Sequence, residues 1–294
     1  MPDLAPADLI GPVALVCHDA GAANLAIAWV RADMAVPVQP FMAGPALALW
    51  QSAFPDRPVR DSIDAALDGA ATLISGTGWA TTIEHDARVS AARRGIVSLA
   101  VLDHWTNYAA RFERDGVTCL PDGLIVSDRW AKDLAAQLFP NIPVALWPNR
   151  YLEAQLAEIA PVPEAGDVLY ICEPARSDWG RNISGEYQAI DFFLQHRGLL
   201  GVSDNCRVRL RPHPSEEPGK YDALVAVNGY LALDDSPTLA SSINKSELVV
   251  GMNSAAMVVA LASGRRVAST LPGWAPACAL PHDGIIHLRD LVSA

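Results

Sequence analysis

The sequence has 294 residues, 51% hydrophobic and 19% charged, with 22 Lys and Arg against 33 Asp and Glu for a net charge of −11. That length allows one large domain or two of about 150 residues, each able to bury a core without disulfide or metal staples. The composition excludes a disordered chain, and the acidic balance argues against a duplex nucleic-acid binder while leaving room for a small phosphorylated ligand.

Apolar runs at residues 13–17, 36–41, 72–75, 96–102, 124–127 and 144–147 predict a first series of strands. A second series falls at 168–172, 207–211, 230–233, 248–252, 266–269 and 285–287. Most are uniformly apolar, which suits parallel strands covered on both faces. Segments of helical length, such as 82–93, 129–138, 185–197 and 254–263, lie between them. Strand then helix, repeated, means a doubly wound α/β architecture.

The two series meet at an amphipathic stretch, 151–159, followed by 160–166 with two prolines, a glycine and an acid. This predicts a linker and two Rossmann-like domains, 1–160 and 161–294, facing across a cleft. Residues 1–160 carry 11 basic and 18 acidic groups, and residues 161–294 carry 11 and 15, so the second half is the less acidic one. No apolar run approaches the ~20 residues of a membrane span. Residues 1–8 hold two acids and no Lys or Arg, unlike a signal peptide. A cytoplasmic protein is expected, with peripheral docking at the inner membrane face left open. The five cysteines form no CxxC and no HExxH occurs, so a zinc site is not expected and reduced, buried thiols are.

Ligands of open α/β sheets bind beyond the carboxyl ends of strands, so the residues after each strand are the candidates. Cys17-His18-Asp19-Ala20-Gly21 leads into a helix without the GxGxxG spacing of a dinucleotide site. His18 and Asp19 are candidate acid–base groups, or a loop filler and a cap. Gly76-Thr77-Gly78-Trp79 could line an acceptor surface. Thr81 and Glu84, three residues apart, read as a capping box. Asp103-His104-Trp105 and Tyr108 combine acid–base groups with rings that could support a sugar, or else a cap with two core aromatics. In the second half, Glu173 and Arg176 follow a strand. Arg211-Pro212-His213-Pro214 delivers a cation and an imidazole into a turn stiffened on both sides. Asn253 or Ser254 caps an apolar helix whose free amides suit a phosphate.

The stretch Leu210-Arg-Pro-His-Pro-Ser215, then Lys220-Tyr221, then Ser246-Glu-Leu-Val-Val-Gly-Met-Asn-Ser254 resembles the donor half of a group of GT-B-fold glycosyltransferases. The group includes bacterial sialyltransferases and polysialyltransferases with an HP motif and a serine motif, capsule Kdo transferases, and CDP-glycerol glycerophosphotransferases. The resemblance covers about a fifth of the chain. It implies that His213 and Ser254 contact donor phosphate. Their acidic D/E-D/E-G triplet has no counterpart in the N-terminal half, and Asp103-His104 or His18-Asp19 would take its place.

The expectation is therefore a metal-independent glycosyltransferase of polysaccharide biosynthesis. Its donor would be a nucleotide-sugar, such as a CMP-linked nonulosonic acid or Kdo, used as substrate with no cofactor. Its acceptor would be a surface glycan or a small molecule, with no nucleic-acid partner. Donor-binding candidates are His213, Arg211, Pro214, Ser254, Asn253, Glu173 and Arg176. Acceptor-binding candidates are Gly76, Thr77, Gly78, Trp79, Trp105 and Tyr108. The acid–base candidates are Asp103, His104, His18 and Asp19, with Asp103 ahead of Asp19 and His18 as the base that deprotonates the acceptor hydroxyl. A nucleotide-sugar 2-epimerase and a non-catalytic nucleotide-sugar or glycan-binding protein are the alternatives.

Overall fold

The computed structural model describes residues 4–293. The chain forms two compact units, Met1–Tyr151 and Leu152–Ala294. The division falls upstream of the proline-containing stretch at 160–166.

Unit 1 holds strands β1 (Val13–Cys17), β2 (Val38–Met42), β3 (Thr72–Ser75), β4 (Val97–Val101), β5 (Glu113–Arg114), β6 (Val117–Thr118), β7 (Gly123–Val126) and β8 (Val144–Leu146). Its helices are α1 (Ala20–Ala32), α2 (Gly44–Ala53), α3 (Ile63–Leu67), α4 (Ile83–Arg94) and α5 (Arg129–Leu138), and α6 (Arg150–Ala157) crosses the division. Six strands form one parallel sheet in the order β2-β1-β3-β4-β7-β8. The short β5–β6 hairpin stands apart.

Unit 2 holds β9 (Asp167–Ile171), β10 (Val208–Arg211), β11 (Leu231–Leu233), β12 (Ser246–Gly251), β13 (Arg266–Ser269) and β14 (Ile285–His287). Its helices are α7 (Gly185–His196), α8 (Asp222–Val227), α9 (Leu239–Asn244), α10 (Ala255–Ala262) and α11 (Leu288–Val292). All six strands are parallel, in the order β11-β10-β9-β12-β13-β14.

Helices on both faces explain the uniformly apolar strands. Every residue of β1, β3 and β7 is buried, as parallel strands require. Alanines let α1 lie close to the sheet, and its Trp29 meets Trp147 edge-on with ring centroids 4.8 Å apart. The Trp29 indole N–H donates to the Pro148 carbonyl at 2.7 Å. In unit 2, Tyr170, Phe193, Val208, Leu210 and Val250 belong to one buried cluster.

A polar cluster holds the β10 side of unit 2. Asp234, whose side chain is wholly buried, accepts from Arg209 and from Arg211 Nη1, the latter at 2.8 Å. Arg209 also pairs with Asp167 and donates to Ser246 Oγ at 2.8 Å. Burial pushes the Asp234 carboxyl up, but hydrogen bonds from Ser242, Arg211 and Ser236 outweigh it and hold the group below the usual carboxylate range. Asp234 is thus the centre of an ion-pair cluster.

In each sheet the strand order reverses once. The reversal lies between β1 and β3 in unit 1, and between β9 and β12 in unit 2. Crevices at such switch points are where open α/β sheets take ligands.

Candidate functional site

In unit 1 the loops after β1, β3 and β4 lie at neighbouring strand ends, and one carboxylate joins the first two. Glu84, on the first turn of α4, accepts the His18 N–H at 2.9 Å on Oε1 and the Gly78 N–H on Oε2. The side chain is buried. Burial raises its pKa, the His18 amide opposes the rise, and the charge of Asp19 adds to it. The expected capping box is therefore corrected. The residue before α4 is Thr82, without a side-chain cap, because Glu84 faces into the sheet end rather than back along the helix.

His18 and Asp19 form a dyad, Nδ1 to Oδ1, at 2.7 Å. With Nδ1 as the donor to Asp19, the imidazole keeps a lone pair on Nε2 that can take up a proton. The ring rests against Gly44, which has φ +49; a β-carbon there would overlap Nε2. Backbone also approaches the acids closely at Gly21 and Gly78, where a β-carbon would collide with Asp103 Oδ2 and Asp19 Oδ2.

The other unit 1 candidates divide between loop surface and framework. Asp103 is no helix cap: its Oδ1 accepts from Arg111 Nη1 at 2.7 Å, and Arg111 also donates to Thr77 Oγ1 at 3.0 Å. His104 Nδ1 lies 3.1 Å from Thr106 Oγ1. Trp79 is 46% exposed, with Arg111 over its ring at 5.8 Å. Three expected acceptor residues are packed into the framework in this structure. Tyr108 is buried among Leu102, Phe112 and Leu124. Thr77 is fully buried and donates to the Val101 carbonyl at 2.8 Å. Gly76 is buried and offers its carbonyl to Arg88 at 2.9 Å. Trp105 donates its indole N–H to Asp128, the cap of α5, at 2.8 Å.

Unit 2 repeats the device. Glu173 follows β9, and its Oε1 accepts the Asn253 N–H, at the end of β12, at 2.6 Å. The carboxylate thus straddles the switch point, as Glu84 does in unit 1. Burial pushes its pKa to about 7; the Asn253 N–H opposes the shift and the charge of Glu216 adds to it. Asn253 Oδ1 accepts the Ala279 N–H at 2.7 Å, and Ser254 caps α10 by accepting the Ala256 N–H at 3.3 Å.

On the other side of β9, the loop after β10 presents His213, an exposed residue between the exposed Pro212 and Pro214. Ser215 meets His213 Nδ1 twice, donating its N–H at 3.1 Å and placing its hydroxyl oxygen at 2.7 Å, where the hydroxyl can donate as well. An N–H can only donate, so Nδ1 accepts and the neutral ring carries its proton on Nε2. Arg211 does not join His213: its Nη1 donates to Asp234, Ser236 O and Ser242 Oγ. The strand's alternation thus turns Arg211 Nη1 into the polar cluster, away from the expected phosphate contact, with the side chain a quarter exposed. Arg176 is exposed with φ +54 in the loop after β9.

Three neighbouring strands, β10-β9-β12, therefore bring His213, Glu173 and Asn253-Ser254 to one sheet edge. A groove of about 870 Å³ in unit 2, along α7 and Trp274, includes none of these residues. Among the described residues, no group of three or more His, Cys, Asp or Glu is arranged to hold a metal ion. None of their helices is long and apolar enough to cross a membrane. All five cysteines are free; Cys17 and Cys172 are buried and the other three partly so.

No protein-family model matches the chain, and no curated protein matches it. Among solved structures it is similar to a Methanocaldococcus jannaschii UDP-GlcNAc 2-epimerase in complex with UDP-GlcNAc and UDP, with 8% identity over 96% of this chain and 91% of that one and a TM-score of 0.60. A Listeria monocytogenes protein assigned as a UDP-N-acetylglucosamine 2-epimerase gives 14% identity over 88% and 79%, with a TM-score of 0.57. An E. coli heptosyltransferase, WaaC, gives 12% identity over 94% and 92%, with a TM-score of 0.45. The likeness to the two epimerases is one of fold: paired parallel α/β units of the GT-B type.

Proposed function

We propose that the chain is an enzyme of nucleotide-activated sugars and, within that class, a metal-independent glycosyltransferase. Unit 2 takes the donor. The His213 Nε2–H and the backbone and hydroxyl at Ser254 address its phosphates and stabilise charge growing on the leaving nucleotide. Unit 1 takes the acceptor and supplies the base. His18 Nε2, oriented by Asp19, receives the acceptor hydroxyl proton as the oxygen bonds to the anomeric carbon. The bond from that carbon to the phosphate oxygen breaks, and its electron pair leaves with the nucleotide. Asp103 is the weaker candidate base because Arg111 occupies one of its oxygens.

The observation that carries this reading is the His213 ring. Its proton is directed to Nε2 by Ser215, and the ring sits at a sheet edge that also ends in a helix N-terminus. An HP-and-serine-motif donor half supports a CMP-linked nonulosonic acid or Kdo donor, a surface-glycan acceptor and a cytoplasmic site of action. Metal independence belongs to the same reading, since these groups supply the charge stabilisation a cation would give. In it, residues 1–160 form the acceptor half and 161–294 the donor half.

The test is a thermal-shift series with CMP, CDP, UDP and GDP and their sugars, on the wild type and on His213→Ala. One nucleotide is expected to stabilise the wild type by several degrees and the variant by much less. Absence of any shift, or an equal shift in both proteins, overturns the reading. Incubating the stabilising nucleotide-sugar without acceptor then separates transfer from 2-epimerisation.

A further inference from the structure

We propose that Glu216 is a positioning residue for His213, acting through a clamp in which Lys220 joins it to Glu186. This rests on the assignment of His213 to the donor site. Glu216 lies three residues after His213, with a side chain only 1% exposed. Its Oε2 accepts the His213 N–H at 2.9 Å. Its Oε1 accepts the Tyr221 hydroxyl at 2.7 Å and Lys220 Nζ at 2.8 Å. Lys220 also donates to Glu186 on the first turn of α7, and Glu186 accepts the Ala175 N–H at 3.3 Å. The Tyr187 hydroxyl donates to the Lys220 carbonyl at 2.7 Å. One ammonium thus ties the loop after β9 to the loop after β10.

A part-buried carboxylate–ammonium–carboxylate set is a poor source of stability, because desolvation offsets most of the attraction and apolar side chains would pack as well. Apolar packing could not hold the His213 amide. Together with the Glu216 N–H to His213 carbonyl bond at 2.9 Å, that hydrogen bond holds the turn from 213 to 216 at both ends and keeps the Ser215 N–H against His213 Nδ1. Glu216 therefore fixes which ring nitrogen carries the outward proton without touching the ligand. Burial pushes the Glu216 carboxyl up, but the Lys220, Tyr221 and His213 hydrogen bonds outweigh it and keep the group ionised.

Nitrogen-15 NMR of the His213 ring, above its titration range, reads the tautomer directly. The wild type is expected to show one tautomer, protonated at Nε2. Glu216→Ala should show a mixture while melting cooperatively. Glu216→Gln keeps an oxygen for the His213 amide and should restore most of the Nε2 form; it also carries the test if the alanine variant does not fold. Affinity for the nucleotide that best stabilises the wild type, drawn from CMP, CDP, UDP and GDP, supplies a second readout. Glu216→Ala should weaken it about tenfold in the wild-type background and less than twofold in His213→Ala, as expected of a residue that acts only through another. A single Nε2 tautomer in Glu216→Ala, or equal losses in both backgrounds, overturns the positioning role and leaves the donor reading standing. Unchanged affinity in His213→Ala alone overturns the donor reading and the catalytic meaning of the clamp with it.

Discussion

The Glu173 carboxylate accepts the backbone N–H of Asn253 at 2.6 Å, across the point where the strand order of the second sheet reverses. The same amide is one that a phosphate at this helix start would use. A buried acid there has consequences for stability and for pH.

The first is a pH-dependent stability. Glu173 titrates near 7 in the folded chain and near 4.5 when unfolded, so the native state binds this proton more tightly. Its contribution is complete below about pH 4.5 and is lost as pH rises through 7, about 3 kcal/mol in all. Urea denaturation at pH 5, 6, 7 and 8 should show the wild type weakening with pH. Glu173→Gln should flatten that slope and be the more stable protein at pH 8. A parallel pair of curves would contradict the assignment.

The dyad in unit 1 predicts a kinetic effect. In the transfer assay, His18→Ala should lower kcat by about 10²–10³-fold, and Asp19→Asn by less, since it loses orientation rather than the base. Gly44→Ala should combine a structural cost with a catalytic one. Its left-handed backbone disfavours a side chain by about 1–2 kcal/mol, and the added carbon displaces the imidazole. A Gly44→Ala protein with normal kcat would remove His18 from the mechanism.

Arg211 and Asp234 should separate stability from binding. Asp234→Ala leaves Arg211 without its acid and Arg209 with Asp167 alone, and should cost about 3 kcal/mol of unfolding free energy. Arg211→Ala should lower the melting temperature while leaving nucleotide affinity within twofold. A large affinity loss without a stability loss would restore Arg211 to the phosphate site.

Tyr108 offers a test of the core. Its hydroxyl is buried with no hydrogen-bond partner among the described residues, and burial pushes its pKa far above the usual phenol value. Tyr108→Phe removes an unsatisfied polar group and should hold or raise stability by up to about 1 kcal/mol. Calorimetry of the two proteins decides it.

All twelve sheet strands were legible because most are apolar runs bounded by small or polar residues, and β10, Val-Arg-Leu-Arg, shows instead a strand's alternation. The strand ends followed, and with them His18, Asp19, Glu173, His213 and Ser254. What was not legible is partnership over distance. Glu84 reads as a capping residue from its neighbours, yet its real partner, His18, is 66 residues away. Arg211 reads as a phosphate ligand, and its ion pair with Asp234, 23 residues on, leaves no mark in the sequence. The start of β12 was hidden because Ser246 and Glu247 are polar; Ser246 is buried there to receive Arg209. The β5–β6 hairpin, two residues per strand, is too short to leave a periodic pattern.

Glu84 and Glu173 are twin fasteners, each accepting backbone amides of loops that leave neighbouring strands: His18 and Gly78 in unit 1, Asn253 in unit 2. Burial raises the pKa of both acids, so each fastening holds by a charge that is given up more readily than that of an ordinary surface carboxylate. A fall in pH therefore loosens the same kind of joint in both sheets, in loops just past the last residues that the backbone ladders pair.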